Sequence, residues 1–299
     1  MTMKYIRKPR RSLLYIPGNN PSNLQNAAIY GADSVLLDLE DAVAVSEKDA
    51  ARHLVRNTLQ TIDFGHVERT VRVNGRDTEY FELDLKCIIP SKPDAIRLPK
   101  TNTAEDVLVA DRMITELEEQ HHLEIGSVKI HAMLETALSI LNAYAVASAC
   151  PRVTALTLGG QDLAADLGIK RASEGMDLLN AKSQVILAAR AAGCAAFDTV
   201  YTDINDLDGL LKDARFGAGL GFAGKAAIHP SQIRIIHHAY QPEAEEVVKA
   251  MRIIRAAKEA ETKGLGVIAV DDKMVDAPVV AQAERTLELA RVSGMEVDL

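Results

Sequence analysis

Eight short apolar runs, each followed by a segment of helical periodicity, constrain this chain more than any single motif. The runs fall at residues 12–16, 34–39, 70–73, 95–98, 129–134, 153–158, 196–200 and 226–228. Between them apolar residues recur every three or four positions. Val107, Leu108, Met113, Ile114 and Leu117 do so within 104–120, and Leu179, Val185, Ile186 and Ala189 within 178–192. Residues 47–59 and 206–218 follow the same helical pattern. Repeated β-then-α units imply parallel strands, because only a crossover connection can join them. Eight units in about 230 residues match the size of a (β/α)8 barrel. A doubly wound open sheet would carry a glycine-rich nucleotide turn after an early strand. Here the first run leads into Pro17-Gly18-Asn19-Asn20, with no GxGxxG. The expected fold is therefore α/β, a (β/α)8 TIM barrel over residues 1–240.

The pattern changes after the eighth run. Residues 242–263 form a long charged helix candidate, followed by a hairpin with strands at 267–270 and 273–275 and a turn at Asp271-Asp272. Pro278 opens a last helix to about residue 292, in keeping with proline's preference for the first helical turn. Residues 241–299 thus exceed what a barrel needs and suit a C-terminal helical and hairpin arm, for oligomerisation or as a lid.

Of the 299 residues, 34 are basic and 42 acidic, a net charge of −8. That balance argues against nucleic-acid binding, which needs a basic face. It leaves room for a small anionic substrate in a locally positive pocket. No run approaches the length of a transmembrane helix, and the basic N-terminal segment lacks the apolar stretch of a signal peptide. Cys87, Cys150 and Cys194 are odd in number and form no CxxC pair, so buried reduced thiols and a cytoplasmic location are expected.

In such a barrel the active site lies at the C-terminal ends of the strands. The residues there are Pro17, Gly18 and Asn19; Glu40 and Asp41; Arg72 and Asn74; Pro99 and Lys100; Glu135 and Thr136; Gly159, Gly160, Gln161 and Asp162; Thr202 and Asp203; and His229 and Pro230. Helix caps and turn formers also follow strands, which suits Asp203 and Ser231 well and Arg72 poorly. Glu135 and Asp162 close adjacent units, so their carboxylates can converge, and Gly159-Gly160 exposes backbone N–H groups beside them. Two carboxylates with water and substrate oxygens is a usual Mg²⁺ environment, though paired acids at strand ends are also common without a metal. Arg72 can grip a substrate carboxylate in a bidentate fork, or pair with Glu40 or Asp41 to hold the barrel mouth. Glu40 and Asp41 otherwise suit the orientation of metal-bound water. His121 and His122 read as solvated, and one of His237 and His238 as core-facing. No zinc-type histidine spacing, nucleophile elbow or P-loop occurs.

The segments RRSLLYIPGNN, LLDLEDAV, VRVNG, IRLPKT, MLETA, TLGGQDLAADLG, GFAGKAAIHPSQ and KMVDAPVV occur in this order. Together they resemble the citrate lyase β-subunit family, citryl-thioester lyases of the HpcH/HpaI aldolase superfamily, from Arg10 to about Leu289. The resemblance implies Mg²⁺ (Mn²⁺ as an alternative) on Glu135 and Asp162, and Arg72 on the oxaloacetate portion of the substrate. It implies that Asp276 reaches the site of a neighbouring subunit in a homo-trimer or hexamer. Pro17, Gly18, Asn19 and the Arg10–Arg11 region would lie near a CoA or acyl-carrier-protein thioester. Lys100 and the Gly224-Lys225…His229-Pro230 segment would line the same mouth. Partners would be a CoA-transferase-type α subunit and an acyl-carrier γ subunit. The arm reads VDDKMVD where relatives often have glycine before the lysine, so Asp272 departs from the pattern. The implied reaction is cleavage of a citryl thioester to oxaloacetate and an acetyl thioester, with Asp276 as acid/base. Citramalyl-CoA or malyl-CoA cleavage, thioester hydrolysis and a non-catalytic thioester-binding role are the alternatives.

Overall fold

A computed structural model of the chain describes residues 10–171, 175–262, 268–270 and 273–298. Eight parallel strands close into a barrel: β1 (Ser12–Pro17), β2 (Ser34–Asp38), β3 (Glu68–Arg72), β4 (Ala95–Leu98), β5 (Lys129–Leu134), β6 (Val153–Leu158), β7 (Ala195–Asp198) and β8 (Gly224–Ala227). Closure is direct, with Lys225 of β8 beside Ser12 of β1 and Ala227 beside Leu14, so no edge is left unpaired. The helices are α1 (Pro21–Gln25), α2 (Lys48–Thr61), α3 (Tyr80–Ile88), α4 (Ala104–Gln120), α5 (Ala137–Leu141), α6 (Ala143–Ala147), α7 (Gly160–Asp166), α8 (Leu179–Ala192), α9 (Leu207–Leu220), α10 (Ser231–Tyr240), α11 (Ala244–Thr262) and α12 (Ala277–Val292).

The period of two along each strand sorts side chains between the barrel axis and the helical jacket. Leu13, Ala155 and Phe197 cluster inside, and His131 lies 5.8 Å from the Phe197 ring. Burial, with the charges of Arg10 and Arg97, holds His131 well below its ordinary pKa, so it is neutral. Val35, Leu37, Val71 and Ile96 alternate with the inward residues and are fully buried. Each such side chain contributes about 1.5–3 kcal/mol by leaving water.

Helix ends follow local chemistry. Thr103 and Asp106 bracket the start of α4, with the Thr103 N–H donating to Asp106 Oδ2 at 2.8 Å. Asp206 caps α9 through the Gly209 N–H at 2.8 Å. Gly193 and Gly221 end α8 and α9 at φ of +74° and +111°, conformations that glycine adopts without a Cβ clash.

The opposite end of the barrel is tied by ion pairs. Arg11 forks Asp33 at 2.8 and 3.0 Å, Arg10 meets Glu68 at 2.7 Å, and Arg69 meets Asp94 at 3.0 Å. This corrects the expected placement of Arg10–Arg11 near a thioester carrier: residues that precede a parallel strand lie at the end away from those that follow it. Gly224 belongs to the same end. A Cβ there would stand 1.9 Å from the Arg10 carbonyl oxygen, so glycine is required.

Arg10–Ala239 forms one compact unit, and Tyr240–Leu299 belongs to a second. In the second, Val247, Ala250, Ile253 and Ile254 of α11 pack on Ala283, Leu287 and Ala290 of α12. β9 (Ile268–Val270) and β10 (Lys273–Val275) pair antiparallel, with Lys273 opposite Val270. The expected turn at Asp271-Asp272 lies outside the described residues. Cys194 is buried, while Cys87 and Cys150 are only half-buried; all three are free thiols. Burial raises each of them, Cys194 to about 11. Among the described residues no helix is long and apolar enough to cross a membrane.

Candidate active site at the barrel mouth

A cavity of about 430 Å³ opens where β1, β2, β3, β5, β6, β7 and β8 end. Its lining alternates along the strands as the pleat requires: Tyr15 and Pro17 from β1, Asp38 from β2, Arg72 from β3, Met133 from β5, and Ala226 and Ile228 from β8. Asp41, Gly159, Gly160, Gln161, Asp162 and Thr199 complete the rim.

Glu135 follows β5 and is buried at 2% exposure. Its Oε1 accepts the Lys100 backbone N–H at 2.5 Å. Burial, then the charges of Glu40 and Asp162, raise its pKa to about 8. A Cβ on residue 159 would stand 2.6 Å from Glu135 Cβ and 2.7 Å from its Oε2, so only glycine fits beside this carboxylate. Glu40, also buried, is raised to about 7 by burial, with Arg72 and Lys100 opposing and Asp41 and Asp38 adding. Lys100 Nζ stands 3.5 Å from Glu40 Oε1.

The donor set suits a divalent cation. Burial and the neighbouring carboxylates make Glu135 and Glu40 bind protons more readily than ordinary carboxylates. Among the described residues no three His, Cys, Asp or Glu side chains converge to hold an ion alone. Glu135 and Asp162 would leave further coordination positions to water and substrate oxygens, as Mg²⁺ prefers.

Arg72 is committed to the protein on one side. Its Nε and Nη2 fork Asp38 at 2.7 and 2.6 Å, and Nη1 lies 2.9 Å from Glu40 and 3.5 Å from Asp41. Burial would lower its pKa, but Asp38 outweighs that and raises it well above the usual value. The Tyr15 ring lies 5.3 Å from this guanidinium and 5.9 Å from that of Arg97, which donates to the Tyr15 hydroxyl at 3.1 Å. Arg72 therefore pairs with Glu40 and Asp41, one of its two sequence-based roles. Its main partner is Asp38, which sequence reasoning missed. Of its five N–H donors at least one remains for a ligand.

Gly18 packs its backbone on β2, donating to the Asp38 carbonyl at 2.8 Å, and a Cβ there would meet that oxygen at 2.6 Å. Asn19 donates to Glu47 at 2.6 Å. His229 is exposed, with its Nδ1 2.7 Å from Ser231 Oγ; Ile228, just before it, lines the cavity. The expectation that Gly224 and Lys225 line the mouth is corrected. Gly224 lies at the opposite end, and Lys225 points outward from β8 into a buried ion cluster with Asp198 and Asp213. His237 faces the barrel, 2.7 Å from Ser12 Oγ, while His121 and His122 are exposed. In the second unit Asp276 is the N-cap of α12, its Oδ1 accepting the Val279 N–H at 3.3 Å. Tyr15, Met133 and Thr199 were also missed, since each lies inside an apolar run.

Residues 11–230 match the profile of the HpcH/HpaI aldolase/citrate lyase family. The citrate lyase subunit beta of Haemophilus influenzae is 44% identical over 284 residues, covering 95% of this chain and 98% of the relative. A (3S)-malyl-CoA thioesterase of Cereibacter sphaeroides is 40% identical, covering 96% of this chain and 97% of that one. Among solved structures, CitE from Mycobacterium tuberculosis with magnesium, acetoacetate and coenzyme A is 33% identical, with a TM-score of 0.76 over 96% of this chain and 98% of that one.

Proposed function

The chain belongs to the HpcH/HpaI aldolase/citrate lyase family, and from that premise we propose that it cleaves a citryl thioester to oxaloacetate and an acetyl thioester. The acyl group is carried on coenzyme A or an acyl carrier protein. One observation carries this reading: the acid pair Glu135 and Asp162 at adjacent strand ends, in a chain 44% identical to a citrate lyase β subunit over nearly its whole length.

Glu135 and Asp162 would hold Mg²⁺, which would supply Lewis-acidic charge for the substrate hydroxyl. The remaining N–H of Arg72 orients the carboxylate of the oxaloacetate portion, and Asp38 keeps that guanidinium from moving. The hydroxyl loses its proton, and the bond from its carbon to the thioester methylene breaks. The hydroxyl carbon becomes the ketone of oxaloacetate. The electron pair goes to the thioester enolate, which takes a proton on carbon. The Gln161 and Asp162 amides head α7 without intrahelical acceptors and can donate to the developing oxyanion. Asp276 of a neighbouring copy serves as acid/base. Lys100, Pro17, Gly18, Asn19, Gly160 and His229 shape the entrance for the thioester. A cytoplasmic homo-trimer or hexamer, working with a CoA-transferase-type α subunit and an acyl-carrier γ subunit, completes this reading.

Purified protein with Mg²⁺ and citryl-CoA tests it. Oxaloacetate and acetyl-CoA are expected in equal amounts, and chelation with EDTA should stop both. The Cereibacter relatives favour one second reading, thioester hydrolysis. Free CoA and citrate, or free CoA and malate from malyl-CoA, with no ketone formed, would overturn the lyase reading in its favour.

A further inference from the structure

We propose that Thr199 is a positioning residue for the metal-binding turn, its hydroxyl fixing the strand-to-helix corner that presents Asp162. This rests on the lyase reading above and extends it to a residue outside the carboxylate set.

Thr199 follows β7, is 4% exposed, and lines the cavity. Its Oγ1 accepts the Gly160 N–H at 3.0 Å. Gly160 is the first residue of α7, and its N–H has no acceptor within the helix. The bond therefore joins β7 to the corner Gly159-Gly160-Gln161-Asp162. The fit is close from both sides: a Cβ on residue 160 would stand 2.7 Å from Thr199 Oγ1 and 3.0 Å from its Cγ2. Glycine at 160 and threonine at 199 together let the corner approach the strand. Two residues on, Asp162 lines the same cavity, and its charge reaches Glu135.

The Thr199 backbone is anchored in turn. Lys225 Nζ donates to the Thr199 carbonyl oxygen at 2.8 Å. Lys225 lies between Asp198 at 3.1 Å and Asp213 at 2.5 Å, and Lys182 spans the same acids at 3.1 and 3.6 Å. Both lysines are fully buried. Two lysines and two aspartates cancel in charge, so the cluster holds the end of β7 without a net buried charge. A hydroxyl on a well-fixed backbone has little freedom, which is what a support for a metal ligand requires.

The test compares Thr199→Val, which keeps the shape and removes the acceptor, with Thr199→Ser, which keeps the acceptor. Mn²⁺ binding to the free protein is read by electron paramagnetic resonance, with thermal unfolding of each variant alongside. Thr199→Val should bind Mn²⁺ roughly 10-fold more weakly, while Thr199→Ser keeps wild-type affinity. Unchanged binding by Thr199→Val overturns the positioning role. Equal weakening in both variants also overturns it, because side-chain volume then matters and not the hydroxyl. Should Thr199→Val fail to fold, the serine variant decides: wild-type affinity supports the role, and weakened affinity overturns it. A wild-type protein that binds no Mn²⁺ overturns the assignment of Glu135 and Asp162 itself, and the positioning role with it.

Discussion

Lys100 bends its backbone to φ +49° and hands its N–H to Glu135 Oε1 at 2.5 Å. The left-handed conformation costs a side-chain-bearing residue about 1–2 kcal/mol. The loop after β4 is thus strained while it orients the buried acid that follows β5, a pattern found at functional sites.

Lys100→Gly separates these two contributions. Glycine accepts the same φ and retains the N–H, but removes the ammonium 3.5 Å from Glu40. Thermal unfolding should shift by no more than about 1 kcal/mol, since relieved strain offsets the greater freedom of glycine when unfolded. Turnover of citryl-CoA should fall. Large destabilisation would show that the ammonium holds the fold.

Gly159→Ala should damage ion binding. The new methyl would stand 2.6 Å from Glu135 Cβ and 2.7 Å from Oε2, so the carboxylate must move. The Mg²⁺ concentration for half-maximal activity should rise by about 10-fold or more. A wild-type activation curve would contradict the close approach.

Asp276 offers a clean distinction between capping and chemistry. Asp276→Asn preserves an N-cap acceptor for Val279, whereas Asp276→Ala should cost about 1 kcal/mol of stability. With Asp276 as the acid/base, Asn should leave unfolding unchanged and abolish most turnover. Full turnover in Asp276→Asn would confine the residue to capping.

Glu118 sets part of the acid sensitivity. It is fully buried and accepts from Arg152 at 3.0 Å, Gly126 at 2.8 Å and Val128 at 2.9 Å. Burial would raise its pKa, but Arg152 and these amides outweigh it and hold the carboxyl below the ordinary range. The folded state therefore binds this proton less readily than the unfolded chain. The resulting stability is present above the unfolded pKa and is lost as pH falls through the folded one. Glu118→Gln should cost about 2–3 kcal/mol at pH 7, with the difference from wild type shrinking in acid. Denaturant unfolding across pH 3–7 would measure it.

Strand positions were legible because eight apolar runs bounded by polar residues leave few other registers. The runs at 95–98, 129–134 and 153–158 coincide with β4, β5 and β6. The placement of Glu135 and Asp162 at the barrel mouth was legible for the same reason, since residues after parallel strands share one end. Asp38 was hidden because it lies inside the apolar run 34–39, and its pairing with Arg72 depends on β2 lying beside β3. Thr199 was hidden because a hydroxyl within an apolar run carries no signal until β6 and β7 are adjacent. Lys225 was misplaced by its nearness in sequence to His229. Strand alternation sends it outward, into a cluster whose other members come from β7, α8 and α9.

That cluster of Lys182, Lys225, Asp198 and Asp213 also limits how the chain can vary. Losing one member strands a bare ion in the wedge between β7, β8 and their helices. Descendants that lack the quartet must therefore have exchanged oppositely charged members in concert, or passed through an ancestor less robust than either end of the path.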